Sequence, residues 1–394
     1  MDCRIIGVRN QILVENNLIN MVIWLSELII ASWALSYGAE HLSSRYGAKF
    51  VGRTVLSIAT TLPEIAIVIY AAASGSYGVA LGAGLGSNLL MMTLGLSLML
   101  IIATTRLSKA PLKGVNVSSF KLDKIFLIIT AVLSAVLFID GYNYLDGFIF
   151  SGMFLAYFVM ALYEMKAEKK KEQLLRFRLN KVTGNRSEKD KNESHNIETT
   201  TIKSELKPKL VEAKKDLQNE PKGFDKRMLK AILIFIAGTA GILIGAEPFI
   251  HSLEGISVDV GISAVILAVI ISPIAGEMPE KISLMILARK GAQGASVAIS
   301  NVLGSKILNN TLLLAVAVFG AMYHGGFFST IGVNTLLSYQ MILVTVVTII
   351  ALIPMFKREI GLKVGVMLAA LYIVSLGIQF IIPHETAPVG ASHS

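Results

Sequence analysis

Charge is scarce in this chain: only 16% of its 394 residues are Asp, Glu, Lys or Arg, where a globular domain carries about 25%. Cysteine is scarcer still. The single Cys3 can form no internal disulfide, so nothing implies an oxidising-compartment scaffold. The six histidines are His41, His195, His251, His324, His384 and His393, and none lies deep inside an apolar run. No His-Glu-x-x-His pair is present, which excludes a helix-borne zinc hydrolase site. Histidine ligation of haem within a membrane is excluded on the same ground. Without an Asp-rich diphosphate motif or a nucleophile constellation, the chain reads as a non-enzyme with no resident cofactor.

Hydrophobic side chains are abundant, at 54%, and the mean hydropathy is +0.64. Charge is concentrated in one place. Residues 165–230 hold 19 of the 36 Lys and Arg and 11 of the 27 Asp and Glu, which is +8 of the net +9. Basic charge is therefore not spread over a folded face, and a nucleic-acid binder is excluded. An all-α integral membrane protein with one basic hydrophilic loop remains. Residues 1–17 are neutral overall and precede an apolar stretch long enough to span, so no cleavable signal is expected.

Apolar runs able to cross roughly 30 Å of hydrocarbon fall near 18–39, 51–73, 77–103, 124–141, 145–164, 229–250, 261–288, 294–318, 335–355 and 361–382. That predicts ten transmembrane helices. Loop charge sets their orientation, because cytoplasmic loops are enriched in Lys and Arg. The odd spans are followed by Arg45, Lys49 and Arg53; by Arg106, Lys109, Lys113 and Lys121; by the 165–230 block; by Arg289 and Lys290; and by Lys357, Arg358 and Lys363. Segments after the even spans are basic-poor, and 251–260 is acidic through Glu254 and Asp259. The expected topology is multi-pass in the cell membrane, with both termini outside and loop 165–228 in the cytoplasm. That loop is rich in Lys, Glu and Asn and too poor in apolar residues to fold alone. Its first part, 161–181, can extend the fifth span as a charged helix, and the rest reads as a disordered tether.

The loop divides the chain into 1–164 and 229–394, and the halves resemble each other. The first contains ATTLPEIAIVIYAAASGSYGVALGAGLGSNLLMMTL (59–94) and the second AGEMPEKISLMILARKGAQGASVAISNVLGSKILNNTL (275–312). Each has Pro-Glu inside an apolar run, a turn of small residues, and then Gly-Ser in the next span. YGAEHL (37–42) is echoed by IGAEPF (244–249). With five spans per half, the second half enters the membrane from the opposite side. The expected architecture is two inverted five-helix repeats with a site at their interface.

Pro63 and Pro279 lack an N–H and clash with the preceding turn, so each is expected to break or kink its helix. Freed carbonyls near Ser57 and Thr60, and near Pro273 and Gly276, then need a partner. Glu64 and Glu280 follow directly. A carboxylate inside a span costs several kcal/mol and marks a pathway or a partner. Two carboxylates with carbonyls and the side chains of Thr60, Thr61, Ser87, Ser305 and Asn309 make an all-oxygen set suited to a hard cation such as Ca²⁺.

These motifs resemble the alpha repeats of the calcium/cation antiporter superfamily, nearest its sodium/calcium exchanger branch, as a divergent prokaryotic-type member. The family pattern is roughly G-T-S-L-P-E followed by Gly-Ser-Asn and a further Asn four residues after the Ser. It is matched within 57–92 by Thr60-Thr61-Leu62-Pro63-Glu64 and Gly86-Ser87-Asn88, and within 273–310 by Pro279-Glu280, Gly304-Ser305 and Asn309. The resemblance implies alternating-access exchange of Ca²⁺ for Na⁺, with Glu64 and Glu280 as shared ligands. The transported ions and the lipid bilayer are then the partners.

Departures from the pattern bear on the ligands. Met91 stands where the family places Asn, which removes an oxygen from a sodium position. Gly276-Glu277 replaces Thr-Ser, and Lys306 follows Ser305. Two readings of Glu277 stay open: a third site carboxylate, favouring Ca²⁺/H⁺ antiport, or a partner for Lys306 or Lys281. A cation channel with a carboxylate selectivity ring is the rival of another class. Gly82, Gly84 and Gly86 read as close-packing glycines. Asn88, Asn301 and Asn310 read as caps or interhelical bonds, and Glu27 has no assigned role.

Overall fold

A computed structural model describes residues 2–43, 57–184 and 226–381. Expectations resting on Arg45, Lys49 and Arg53, on 185–225 of the basic loop and on 382–394 lie outside the described residues. The chain divides into two units, residues 1–158 with 230–394, and residues 159–229. All candidate site residues belong to the first.

Among the described residues, twelve α-helices follow one another: α1 Asp2–Ser43, α2 Ser57–Ala73, α3 Tyr77–Leu90, α4 Leu96–Thr104, α5 Lys121–Leu137, α6 Tyr144–Gly184, α7 Lys226–Val260, α8 Ala264–Ala288, α9 Ala292–Leu308, α10 Leu314–Gly325, α11 Thr335–Leu352 and α12 Leu362–Ile381. One π-helical turn, Met91–Gly95, joins α3 to α4, and another, Asn309–Leu313, joins α9 to α10. Each begins four residues after the Ser of a Gly-Ser pair, at Ser87 and at Ser305. Helix α6 continues through the charged stretch 161–181.

Seven stretches among the described residues are long and apolar enough to cross a membrane: Asn16–Gly38, Tyr77–Thr104, Tyr144–Glu164, Met228–Val260, Ala292–Gly325, Thr335–Phe356 and Leu362–Ile381. Thr60–Ala73 and Ala264–Met278 are shorter apolar helices, and α5 has 17 residues. The three expected spans outside the seven are helical where described, over Ser57–Ala73, Lys121–Leu137 and Ala264–Ala288. Helix suits all of them, because hydrocarbon satisfies no backbone polar group.

Local sequence sets where helices start and turn. Ser263 and Asn334 cap α8 and α11, accepting from the amides of Val265 and Leu336 at 3.3 and 2.8 Å. The turns α2–α3 and α8–α9 each place a glycine, Gly75 and Gly291, at φ 85°, a region costly for other residues. Pro63 and Pro279 are expected to break or kink their helices, and no break occurs. Both α2 and α8 run through the proline position, so any freed carbonyl sits within a continuous helix.

Helices α3 and α8 cross backbone to backbone. A Cβ on Gly86 would stand 2.0 Å from the Val269 carbonyl oxygen, and one on Gly82 would stand 2.9 Å from that of Val265. On the other side of α3, a Cβ on Gly84 would meet Leu313 at 2.4 Å. Small residues here let helices approach where lipid supplies no hydrophobic drive.

Connecting segments gather in two sets. Val115 and Asn116 pair antiparallel with Ile360 and Glu359, and the Lys109 amide donates to the Arg289 carbonyl at 3.1 Å. In the second set, Tyr142 and Ile331 exchange backbone bonds at 3.0 and 2.8 Å, Ser76 donates to Glu254, and His324 Nδ1 meets the Ala73 carbonyl at 3.0 Å. Among the described residues, the segments after expected spans 3, 7 and 9 thus contact one another, and those after spans 2, 4, 6 and 8 form the other set.

Candidate functional site

The Pro-Glu positions lie on α2 and α8, and the Gly-Ser positions on α3 and α9, four helices that pack on one another. Thr60, Thr61, Glu64, Ser87, Gly276, Glu277, Glu280, Ser305 and Asn309 are all buried. Thr60 and Thr61 precede Glu64 by one turn of α2.

Glu64 lies against the backbone of α8: a Cβ on Gly276 would be 2.6 Å from its Oε1. Its Oε2 is buried without a protein partner. The carboxylate is within electrostatic reach of Glu277, Lys306 and Glu280. Glu280 is held by its own half, since its Oε1 accepts from Asn301 Nδ2 at 2.7 Å and from Ser305 Oγ at 3.4 Å.

Within the second half, Lys306 of α9 forms an ion pair with Glu277 of α8, and Ser87 of the first half joins it. Ser87 of α3 also donates to Glu277 Oε1, and Lys306 Nζ donates to Ser87 Oγ at 2.6 Å and to the Ser87 carbonyl at 3.4 Å. The Asn309 amide reaches Ser87 Oγ at 2.7 Å. Turned with its oxygen toward Lys306, it accepts from Nζ at 3.2 Å and donates to the Ser305 carbonyl at 3.2 Å. Glu277 pairs with Lys306 and also lies within electrostatic reach of Glu64 and Glu280, so both readings of it stay open. Oε2 of Glu277 has no partner. Lys281 is buried with Met278 Sδ at 3.7 Å and makes no ion pair among the described residues.

Two of the amides that the sequence read as caps or interhelical bonds make bonds between helices. Asn301 anchors a candidate ligand, and the signal was its place one turn before Ser305 on the same helix face. Asn88 donates to Asn310 at 2.5 Å, tying α3 to the second π turn. Met91 is fully buried and packs on Gly95, adding no oxygen to the cluster. Glu27 sits against α7, where a Cβ on Gly245 would overlap its Oε2 at 1.9 Å. A cavity of about 180 Å³ at the end of α2 is lined by Tyr70, Ala73, Ser74, Glu247, Ile250 and His251.

Apolar helices around a buried cluster of carboxylates, hydroxyls and amides define a multi-pass membrane protein that handles cations. The chain belongs to the sodium/calcium exchanger protein family, which matches residues 18–163 and 230–381. It is 23% identical over 341 residues to the uncharacterized membrane protein MJ0091 of Methanocaldococcus jannaschii, covering 86% of this chain and 90% of that one. Its fold is similar to that of the H⁺/Ca²⁺ exchanger CAX, with a TM-score of 0.67, 18% identity, and coverage of 94% of this chain and 82% of that one. It is similar also to the sodium-calcium exchanger NCX_Mj, with a TM-score of 0.55, 20% identity, and coverage of 93% and 98%. This is a family of exchangers rather than of enzymes.

Proposed function

We propose that the chain is a secondary active antiporter that exchanges Ca²⁺ for Na⁺ across the cell membrane by alternating access. In this reading it has ten transmembrane helices in two inverted five-helix repeats, residues 1–164 and 229–394, with the termini outside and 165–228 in the cytoplasm. The segregation of connecting segments into two sets supports that alternation. One observation carries the functional reading: Glu64 and Glu280, at matching positions of the two halves, are buried in one oxygen-rich cluster, and Glu64 keeps an unpartnered oxygen. Ca²⁺ takes six to eight oxygens, about the number that Glu64, Glu280, Thr60, Thr61, Ser305 and the Gly276 backbone offer beside those of Ser87 and Asn309, which Lys306 engages. Bare carboxylates are costly to reorient within a membrane, so a counter-cation occupies the return leg.

H⁺ as the counter-cation is the second reading. Met91 favours it, because a thioether stands where the second half carries the amide of Asn309. Both couplings occur among proteins of similar fold. The test is radiocalcium uptake into proteoliposomes preloaded with Na⁺ or held at low internal pH, for the wild type, Glu64→Gln and Glu280→Gln. Uptake driven by Na⁺ and lost in both variants supports the first reading, and uptake driven by pH alone supports the second. No calcium flux under either gradient overturns the substrate.

A further inference from the structure

Lys306 is the feature that a calcium exchanger does not need. It is 1% exposed, one residue after Ser305, and its ammonium is surrounded by oxygens of both halves. Those are Glu277 Oε1, Ser87 Oγ, the Ser87 carbonyl and, with the amide turned, Asn309 Oδ1. A carboxylate, a hydroxyl, a carbonyl and an amide oxygen are what a desolvated monovalent cation would recruit. The position is filled by a cation that the protein itself carries.

Comparing the halves sharpens the point. The residue after the Gly-Ser pair is Asn88 in the first half and Lys306 in the second, and Asn88 is spent on Asn310. Lys306 is covalently held, so it stays with the site in both half-cycles and contributes the same charge to each. The pair Glu277–Lys306 is internally neutral. Lys281 lies on Met278 Sδ at 3.7 Å and pairs with neither remaining carboxylate among the described residues; Glu64 and Glu280 are left to the transported ions, and two carboxylates are balanced by one divalent cation or by two monovalent ones.

We propose that Lys306 is a built-in counter-cation that takes the place of one transported monovalent cation and fixes exchange at two monovalent cations per divalent, with no net charge moved. The inference rests on the antiport reading above and specifies its stoichiometry.

The experiment uses the full chain in proteoliposomes whose potential is set by K⁺ and valinomycin, and it measures the calcium gradient at which net radiocalcium flux is zero. In the wild type that gradient is expected to be independent of voltage. In Lys306→Asn, which frees Glu277 for a third monovalent cation, it should shift about tenfold per 59 mV, the value for one charge. Lys306→Arg and the neutral double variant Glu277→Gln/Lys306→Met should both stay voltage-independent. Replacing a buried ion pair as a unit is often tolerated, so the double variant serves if Lys306→Asn fails to fold. A voltage-dependent wild type, an unshifted Lys306→Asn or a voltage-dependent double variant would each overturn the proposal. A wild type without calcium flux would defeat the antiport reading instead. Radiosodium binding to purified protein then decides this inference alone: two ions per wild-type chain and three in Lys306→Asn support it, and equal counts overturn it.

Discussion

Glu64 and Gly276 meet across the two halves so closely that a β-carbon at 276 would stand 2.6 Å from the Glu64 carboxylate oxygen. The glycine therefore sets where the carboxylate sits. Gly276→Ala should push Glu64 aside by several tenths of an ångström while leaving α8 intact, because alanine is the better helix former. The apparent affinity for Ca²⁺ is expected to fall roughly tenfold, about 1.4 kcal/mol. Radiocalcium uptake against calcium concentration checks this, with the melting temperature in detergent unchanged or raised. Unaltered affinity would mean that Glu64 does not face the ion from this position.

Among the described residues, Asn301 supplies the short hydrogen bond to Glu280 at 2.7 Å, and Ser305 adds a 3.4 Å contact. A hydrogen bond to a charged group contributes about 1.5–3 kcal/mol. Asn301→Ala should therefore weaken calcium binding by a factor of roughly 10 to 100, the same energy expressed as a ratio. The Glu280→Gln variant should lose transport outright. If Asn301→Ala matches the wild type across the calcium titration, Glu280 is positioned by something else.

Residues that announce themselves by chemistry were legible in the sequence. A Pro-Glu inside an apolar run cannot hide, and its repetition on α2 and α8 pointed to two helices before any geometry was available. The helices themselves followed from unbroken apolar runs, including the charged continuation of α6. What the sequence left open was pairing. Glu277 could face the site as a third carboxylate or pair with Lys306, or with Lys281, since a lysine stem reaches several ångströms in any direction and only the α8–α9 packing selects a partner. The partner of Asn301, read only as a cap or an interhelical bond, stayed open for a related reason: an amide's role depends on which carboxylate a neighbouring helix brings beside it. The paired π turns at Met91–Gly95 and Asn309–Leu313 leave no compositional trace.

Gly86 is a packing residue, and its effect should fall on stability before transport. A Cβ there would collide with the Val269 carbonyl at 2.0 Å, backbone that cannot yield without separating α3 from α8. Gly86→Ala is expected to destabilise the protein by about 1–3 kcal/mol, the usual range for overpacking. Gly152→Ala is the comparison, because a Cβ on Gly152 would touch nothing within 4 Å. Thermal unfolding in detergent should show a lowered midpoint for the first variant and a neutral or raised one for the second. Equal midpoints would mean that α3 and α8 do not approach this closely.

The grouping of connecting segments predicts accessibility directly. Lys113 and Lys357 flank the β pairing of Val115 with Ile360, whereas Ile139 and Val333 flank the bridge between Tyr142 and Ile331. All four are exposed. Because Cys3 is the single cysteine, Cys3→Ser gives a background without thiols. In that background, Lys113→Cys and Lys357→Cys should share one labelling behaviour toward a membrane-impermeant thiol reagent added to intact cells, and Ile139→Cys and Val333→Cys the opposite one. The excess of Lys and Arg near the first pair makes it the cytoplasmic one, so it should label only after lysis. Labelling of Lys113→Cys and Ile139→Cys from the same side would break the alternation on which the inverted-repeat reading depends. Reversed labelling of both pairs would keep the fold and invert its orientation.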